Sequence, residues 1–347
     1  MSKTSQLSNA EIAAFCRQMG LLYKGGITPA DGINILISDT ISEDGKALLA
    51  KIGESCRYNK LYQALEETGV FPNYVIKLLA LGESLGQTEN VLNALADFYE
   101  REQEVSEGIR QAVTYPLIMI AMMFLIIIVL IVKVLPIFRQ VFVQLGTEMS
   151  PLAEKLMGIG NVLSKYAIGI TIGLFAIILA VILLIRIPAV KKAFRKVLSK
   201  IPFTKTFYTN IATARFASAM YLGINSGMDT FENLEMASEI VENEEMQDKI
   251  KTMTEAIRNH STLSEAIGEA RIFSSLYTKM IDIGERAGSK DEIMKQIADH
   301  YDETTNKQLR KILSIIEPTL VIVLSLIVGI ILLSVLLPLM GIMSSIG

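Results

Sequence analysis

A chain of 347 residues, 51% hydrophobic and 20% charged, with a mean hydropathy of +0.41, is too apolar for an ordinary soluble globular protein. Its net charge of −3 says little about partners, and no direct nucleic-acid contact is expected of it.

The polar opening, 1–11, reads as a tail leading into an amphipathic helix, with neither a cleavable signal peptide nor a lipidation motif expected. Apolar residues at helical spacing predict a helix over Ile12 to Tyr23, broken at Gly25-Gly26. Thr28-Pro29 has the form of an N-cap followed by proline at the first helical position, and predicts a helix from Pro29 to Asp39. Further helices are expected over Lys46 to Cys56, Tyr62 to Glu67, and from Pro72 to Gly82. After Gly86 a stripe of Leu92, Leu95, Ala96 and Tyr99 starts a last helix that heads past Arg110 toward the membrane.

Three apolar runs follow: Leu117 to Val132, continued past Lys133 to Phe138; Ala167 to Ile185; and Leu320 to Leu337. Each is near the roughly 20 residues that carry a helix across about 30 Å of hydrocarbon. Seven basic residues lie between Arg186 and Lys205, against three from Arg139 to Lys165. Basic flanks stay in the cytoplasm, so residues before the first span and after the second are placed inside, and the C-terminal tail outside.

The polar stretches repeat each other. At a shift of 202, Gly82, Glu83 and Gly86 fall on Gly284, Glu285 and Gly288; Asp97 and Tyr99 fall on Asp299 and Tyr301; Pro116 and Pro136 fall on Pro318 and Pro338. Upstream the shift is 201, pairing Phe15 with Phe216, Met19 with Met220 and Gly26 with Gly227. A register held through polar and apolar segments alike marks a duplicated unit. Two like domains entering the membrane in the same direction share one side only if a return span joins them, and the second run is that span.

The expected fold is therefore an all-α membrane protein with two homologous cytoplasmic bundles of about six helices, each with its own core, and three transmembrane helices. In residue terms it has a first repeat over 12–115, spans at 116–138 and 167–187 around an outer loop at 139–166, a basic connector at 188–212, a second repeat over 213–317, a third span at 318–340 and an outer tail at 341–347.

The glycines at Gly82, Gly86, Gly284 and Gly288, with Gly26 and Gly227, suit tight helix ends or close backbone approach. The prolines Pro116, Pro136, Pro318 and Pro338 mark the membrane boundaries. Glu83 and Glu285, between their glycines, can accept hydrogen bonds from exposed backbone N–H groups or a basic side chain, or face a partner.

The segments Phe15-Cys16-Arg17-Gln18-Met19 with Gly26-Ile27, and Arg215-Phe216-Ala217-Ser218-Ala219-Met220 with Gly227-Met228, resemble the paired signatures of the inner-membrane platform proteins of type II secretion and type IV pilus machines. The resemblance extends from about Ile12 to Met340 and includes the Gly-Glu-x-x-Gly corner and the three-span layout. Longer members of that family carry an additional N-terminal segment, and many have a proline followed soon by threonine where this chain has Ser150-Pro151-Leu152. It implies a protein that couples a hexameric assembly ATPase to polymerisation of pilin or pseudopilin subunits, meets other inner-membrane components and membrane lipid, and forms a homo-oligomer. Glu83, Glu285, Arg17 and Arg215 are its candidate partner contacts.

No catalytic, cofactor or metal constellation is expected. His260 and His300 have no ligand-spaced neighbours, Gly45-Lys46 lacks the approach of a phosphate loop, and Cys16 and Cys56, facing Ala217 and Arg258 in the other repeat, read as packing residues. A transporter or channel subunit is the alternative, but it calls for paired intramembrane charges or broken helices, whereas Lys133 is the one ionisable residue within a run and lies where snorkelling reaches the interface. The acidic run Glu239, Glu242, Glu244, Glu245 and Asp248 reads as a solvated face or a docking surface for a basic partner. Lys191, Lys192, Arg195, Lys196 and Lys200 suit anionic headgroups, and Val141, Phe142 and Leu145 suit the membrane surface.

Overall fold

The computed structural model describes residues 6–130, 133, 136–137, 140 and 202–346, and these are helical and irregular, with no strand among them. The first repeat forms α1 (Asn9–Lys24), α2 (Pro29–Asp39), α3 (Glu43–Ser55), α4 (Leu61–Glu66), α5 (Asn73–Leu85) and α6 (Thr88–Val129). The second forms α7 (Pro202–Asn225), α8 (Thr230–Ile240), α9 (Glu244–Arg258), α10 (Leu263–Ala270), α11 (Ser275–Ala287) and α12 (Lys290–Ile346). The expected span at 167–187, the outer loop beyond residue 140 and the connector before Pro202 lie outside the described residues.

Local chemistry sets the helix starts, and it repeats. Ser8 and Glu11 form a reciprocal capping box on α1, with the Ser8 N–H donating to Glu11 Oε2 at 2.7 Å. Thr28 caps α2 and Asp229 caps α8; Ser42 caps α3 and Asn243 caps α9. These caps keep the shift of 201, while the starts of α4 and α10, after Lys60 and Thr262, are 202 apart. The slipped residue therefore falls in the α3 and α9 region, where α3 has 13 residues and α9 has 15. Three helices differ from the sequence reading: α1 starts at Asn9, capped by Ser8, inside the stretch read as a tail. Ser42 starts α3 three residues before Lys46, and α5 runs through Gly82 to Leu85 because Gly86, at φ 70°, is the residue that ends it in the left-handed conformation.

The chain divides into two compact units, Met1–Glu107 with Pro202–Lys307, and Gly108–Ile201 with Gln308–Gly347. In the first, the expectation of a separate core for each repeat gives way to a single connected cluster. It runs from Ile12, Met19 and Leu78 in one repeat to Phe216, Leu234 and Ile297 in the other. The stripes at Leu92, Leu95 and Ala96 and at Met294, Ile297 and Ala298 are buried in it. Apolar surface that either repeat would leave to water is removed by the other, at about 25 cal/mol per Å².

In the second unit, α6 and α12 continue as apolar helices whose most hydrophobic windows have no protein covering them. Ile118, Leu125, Ile322 and Leu326 are exposed, as suits surfaces that face hydrocarbon. Both helices are long and apolar enough to cross a membrane. Pro116 and Pro318 lie inside them rather than at their ends. Within this unit Tyr115 Oη donates to Glu317 at 3.3 Å, and a Cβ on Gly108 would strike Leu309. The helices therefore run side by side in the same direction, with the equivalent positions Tyr115 and Glu317 in contact.

Candidate functional site

The first candidate is the Gly-Glu corner, which occurs twice. Glu83 leaves α5 and accepts from the backbone N–H groups of Leu61 at 3.0 Å and Tyr62 at 3.1 Å. Glu285 leaves α11 and accepts from Leu263 at 3.3 Å and Ser264 at 3.1 Å. These donors belong to the first turns of α4 and α10, where helix N–H groups have no partner within the helix and the dipole favours negative charge. Lys60, the residue before α4, makes no side-chain cap, so Glu83 supplies the acceptor from another helix. Thr262 does cap α10, so Glu285 adds to a cap already present.

The glycines let the corner close. Cβ atoms on Gly82 and Gly284 would stand 2.7 Å from Val91 Cγ2 and Ile293 Cγ1, so α6 and α12 pack almost on the backbone of the helices before them. Gly86 and Gly288 take φ of 70° and 77°, and Gly26 and Gly227 take 72° and 78°. Behind the first corner, burial and then the Glu83 charge push the Cys56 thiol up to about 11 and hold the Tyr23 hydroxyl protonated.

The second candidate is the seam between the repeats. Helix α5 of the first repeat meets α8 of the second: Asn73 donates to Glu239 at 3.2 Å, and Lys77 lies 3.7 Å from the same carboxylate. Helix α6 meets α7 and α12. Arg215 makes a bidentate pair with Glu102 at 2.6 and 2.5 Å, both side chains being largely buried. Arg101 donates to Asp299 at 2.7 Å and Asp302 at 3.1 Å. Burial raises the Asp302 carboxyl above its ordinary range, against the pull of Arg101.

Arg17 stays within its own repeat, pairing with Asp97 and with Glu100, the latter at 3.1 and 2.9 Å. Asp97 and Glu100 correspond to Asp299 and Asp302, and Arg17 corresponds to Ser218. The second repeat thus lacks its own guanidinium at this place and takes one from Arg101. Arg101, Glu102 and Asp302 were not singled out in the sequence, and Asp299 was noted only as the repeat of Asp97. The available signal was the repeated acidic pair standing opposite arginine in one repeat and serine in the other.

Of the acidic run, Glu239 is held by the first repeat, Glu242 lies 3.8 Å from Arg215, and Glu245 pairs with Lys205 at 3.2 Å. His260 sits at positive φ after α9, and His300 stacks beside Tyr277 at 5.5 Å. Among the described residues no group of three or more metal-ligating side chains comes together. Recesses of about 10 and 20 Å³ along the seam have room for water alone. Lys133 is exposed, while Val141, Phe142, Leu145 and the basic residues from Lys191 to Lys200 lie outside the described residues.

The model of the family described as type II secretion system protein F matches this chain twice, over residues 15–136 and 216–338. The chain is 25% identical to the type IV pilus assembly protein PilC of Myxococcus xanthus over 97% of its own length and 81% of the relative's. It is 25% identical to the type II secretion system protein F of Aeromonas hydrophila, covering 96% and 86%, and 23% identical to PilC of Pseudomonas aeruginosa, covering 97% and 91%.

Proposed function

We propose, from the premise that this chain belongs to the type II secretion system protein F family, that it is the inner-membrane platform of a type IV pilus or type II secretion-like machine. In this role it couples a cytoplasmic hexameric ATPase to the polymerisation of pilin or pseudopilin subunits. The observation that carries the reading is the double family match, each copy ending in an apolar run. Likeness over nearly the whole length to proteins named for both machines supports the class. The proposed topology has three spans, the repeats in the cytoplasm and the C-terminus outside, as the basic flanks favour.

The platform acts mechanically and holds no catalytic group; the ATPase supplies the energy. Two repeats joined by one core form a single unit, and the last helix of each repeat carries an apolar segment. Arg17, at the surface of α1, is the proposed partner contact. Glu83, Glu285 and Arg215 make internal bonds that hold neighbouring helices together.

The test is deletion of the gene in its host, with complementation by the full chain. Loss of surface filaments or secreted substrate is expected, with the pilin or pseudopilin still inserted in the membrane and the ATPase recovered with the tagged platform. Unchanged filaments and secretion in the deletion strain would overturn the reading.

A further inference from the structure

One helix face occurs in both repeats, and only one of its copies is covered. On α5 the residues Asn73, Lys77, Leu81 and Leu85, four apart and so on one side of the helix, mark the face laid against α8. Asn73 and Lys77 hold Glu239 near the C-terminal end of α8. Leu85 Cδ1 stands 3.3 Å from the place a Cβ on Gly227 would take, just before α8 begins. The two helices therefore run antiparallel, and Leu81, midway along the face, is half-buried against the core.

At the shift of 202 the same face of α11 carries Ser275, Lys279, Ile283 and Ala287. All four are exposed, Ile283 to 65%, and Leu276 at the edge of the face is exposed to 64%. The face keeps its chemistry without its neighbour: a lysine stands where Lys77 stands, and a large aliphatic side chain where Leu81 stands. Among the described residues Lys279 pairs with no carboxylate, whereas Lys77 lies 3.7 Å from Glu239. Arg286, two turns on and with 78% of its side chain exposed, adds a second cation that Asp282 shares at 3.1 Å.

We propose that this face of α11 docks an acidic amphipathic helix of another protein. That helix brings a carboxylate to Lys279, as α8 brings Glu239 to Lys77, and covers Ile283. Charge complementarity and the contact already built at the equivalent place identify the occupant. A second copy of this chain does not fit the description. Its helix equivalent to α8 is α2, which has Ser38 at the position of Glu239, so the carboxylate that Lys279 calls for is missing there. The inference rests on the two helix faces and not on which machine the platform serves.

The test places the photoreactive residue p-benzoylphenylalanine at Ile283, or at Ala287 as a second position, in the full-length chain in its host. Cells are irradiated and the joined peptides are sequenced by mass spectrometry. A covalent product with a different protein is expected, attached in a segment that has Asp or Glu within one helical turn and apolar residues at helical spacing. Lys279→Glu in the same chain should lower its yield about fivefold, the scale of an exposed ion pair, and Lys279→Arg should keep it. Because position 279 is exposed, the melting temperature should be the same in all three chains. The photoreactive residue at Lys251, exposed on α9, measures chance encounter. Products with lipid alone, with a second copy of this chain alone, or with segments lacking an acidic residue would overturn the proposal. So would no product at either position, an equal yield at Lys251, or a yield indifferent to Lys279→Glu. Filaments and secretion are not the readout, so this result and the deletion test fail separately.

Discussion

In the first repeat the acidic pair Asp97 and Glu100 is neutralised from within, by Arg17, whereas in the second the pair Asp299 and Asp302 draws its guanidinium from Arg101 of the other repeat. Two differences between the copies, Arg17 against Ser218 and Arg101 against Glu303, separate a contact internal to one repeat from a bond between repeats. Duplication supplies two like surfaces; divergence at a few positions decides which bind each other.

The largest expected effect comes from breaking the seam at its driest ion pair. Arg215→Ala leaves Glu102, whose side chain is 14% exposed, without its bidentate partner, and stranding a buried charge costs about 3 kcal/mol. Arg17→Ala removes a more exposed pair, worth about 1 kcal/mol or less. Thermal unfolding of the two full-length variants in one detergent should show the first melting well below the second. Equal melting temperatures would mean that the seam does not hold the repeats together.

A smaller contrast concerns the corners. Glu83→Ala removes the acceptor for α4, which has no side-chain cap of its own, at about 2 kcal/mol; Glu285→Ala leaves Thr262 still capping α10, and about 1 kcal/mol is expected there. Amide exchange over 61–66 and 263–270 should report the difference locally, with the α4 region losing more protection. At the glycines, Gly82→Ala and Gly284→Ala meet side chains at 2.7 Å in both repeats. Overpacking of about 2 kcal/mol is offset by about 1 kcal/mol of helix propensity. A modest loss, similar in both copies and relieved by Val91→Ala or Ile293→Ala, is the expected pattern.

What the sequence revealed, and what it did not, follows the range of each interaction. Helix positions were legible because they rest on short spacings: Ser8 to Glu11 for a cap, Ile12 to Phe15 and Met19 for a buried face, Gly86 for an end. The doubling was legible because repeats survive as letters. The joint core was not, since Arg101 with Asp299 and Glu102 with Arg215 are separated by 198 and 113 residues, and no local period encodes them. Within the site, the letters Gly-Glu-x-x-Gly were plain, but that Glu83 caps a helix 22 residues earlier depends on how α4 and α5 fold back together. The non-equivalence of Arg17 and Ser218 was the one local sign of the seam, and reading it required knowing what lay opposite.

The mildest contrast appears only in alkali. The first repeat buries Cys16, pushed up to about 12, and Tyr74 and Tyr99, whose hydroxyls are also held protonated chiefly by burial, while half-buried Cys56 is pushed up to about 11. At the matching positions of Cys16 and Tyr74 the second repeat has Ala217 and Leu276, which do not titrate. A thiol whose folded pKa is raised contributes stability that is complete below its unfolded value, near 8.5, and that is lost as pH rises toward the folded one. Stability should therefore be flat in this respect up to about pH 8 and then fall in the first repeat before the second. Cys16→Ala, which copies the second repeat's own solution, should lower stability by a pH-independent amount, because a fully buried side chain is truncated, and should soften the decline between about pH 9 and 11. Amide exchange in α1 and α7 across that range checks it: protection lost first in α7, or a decline unaffected by Cys16→Ala, would show that burial of the thiol does not set the alkaline limit.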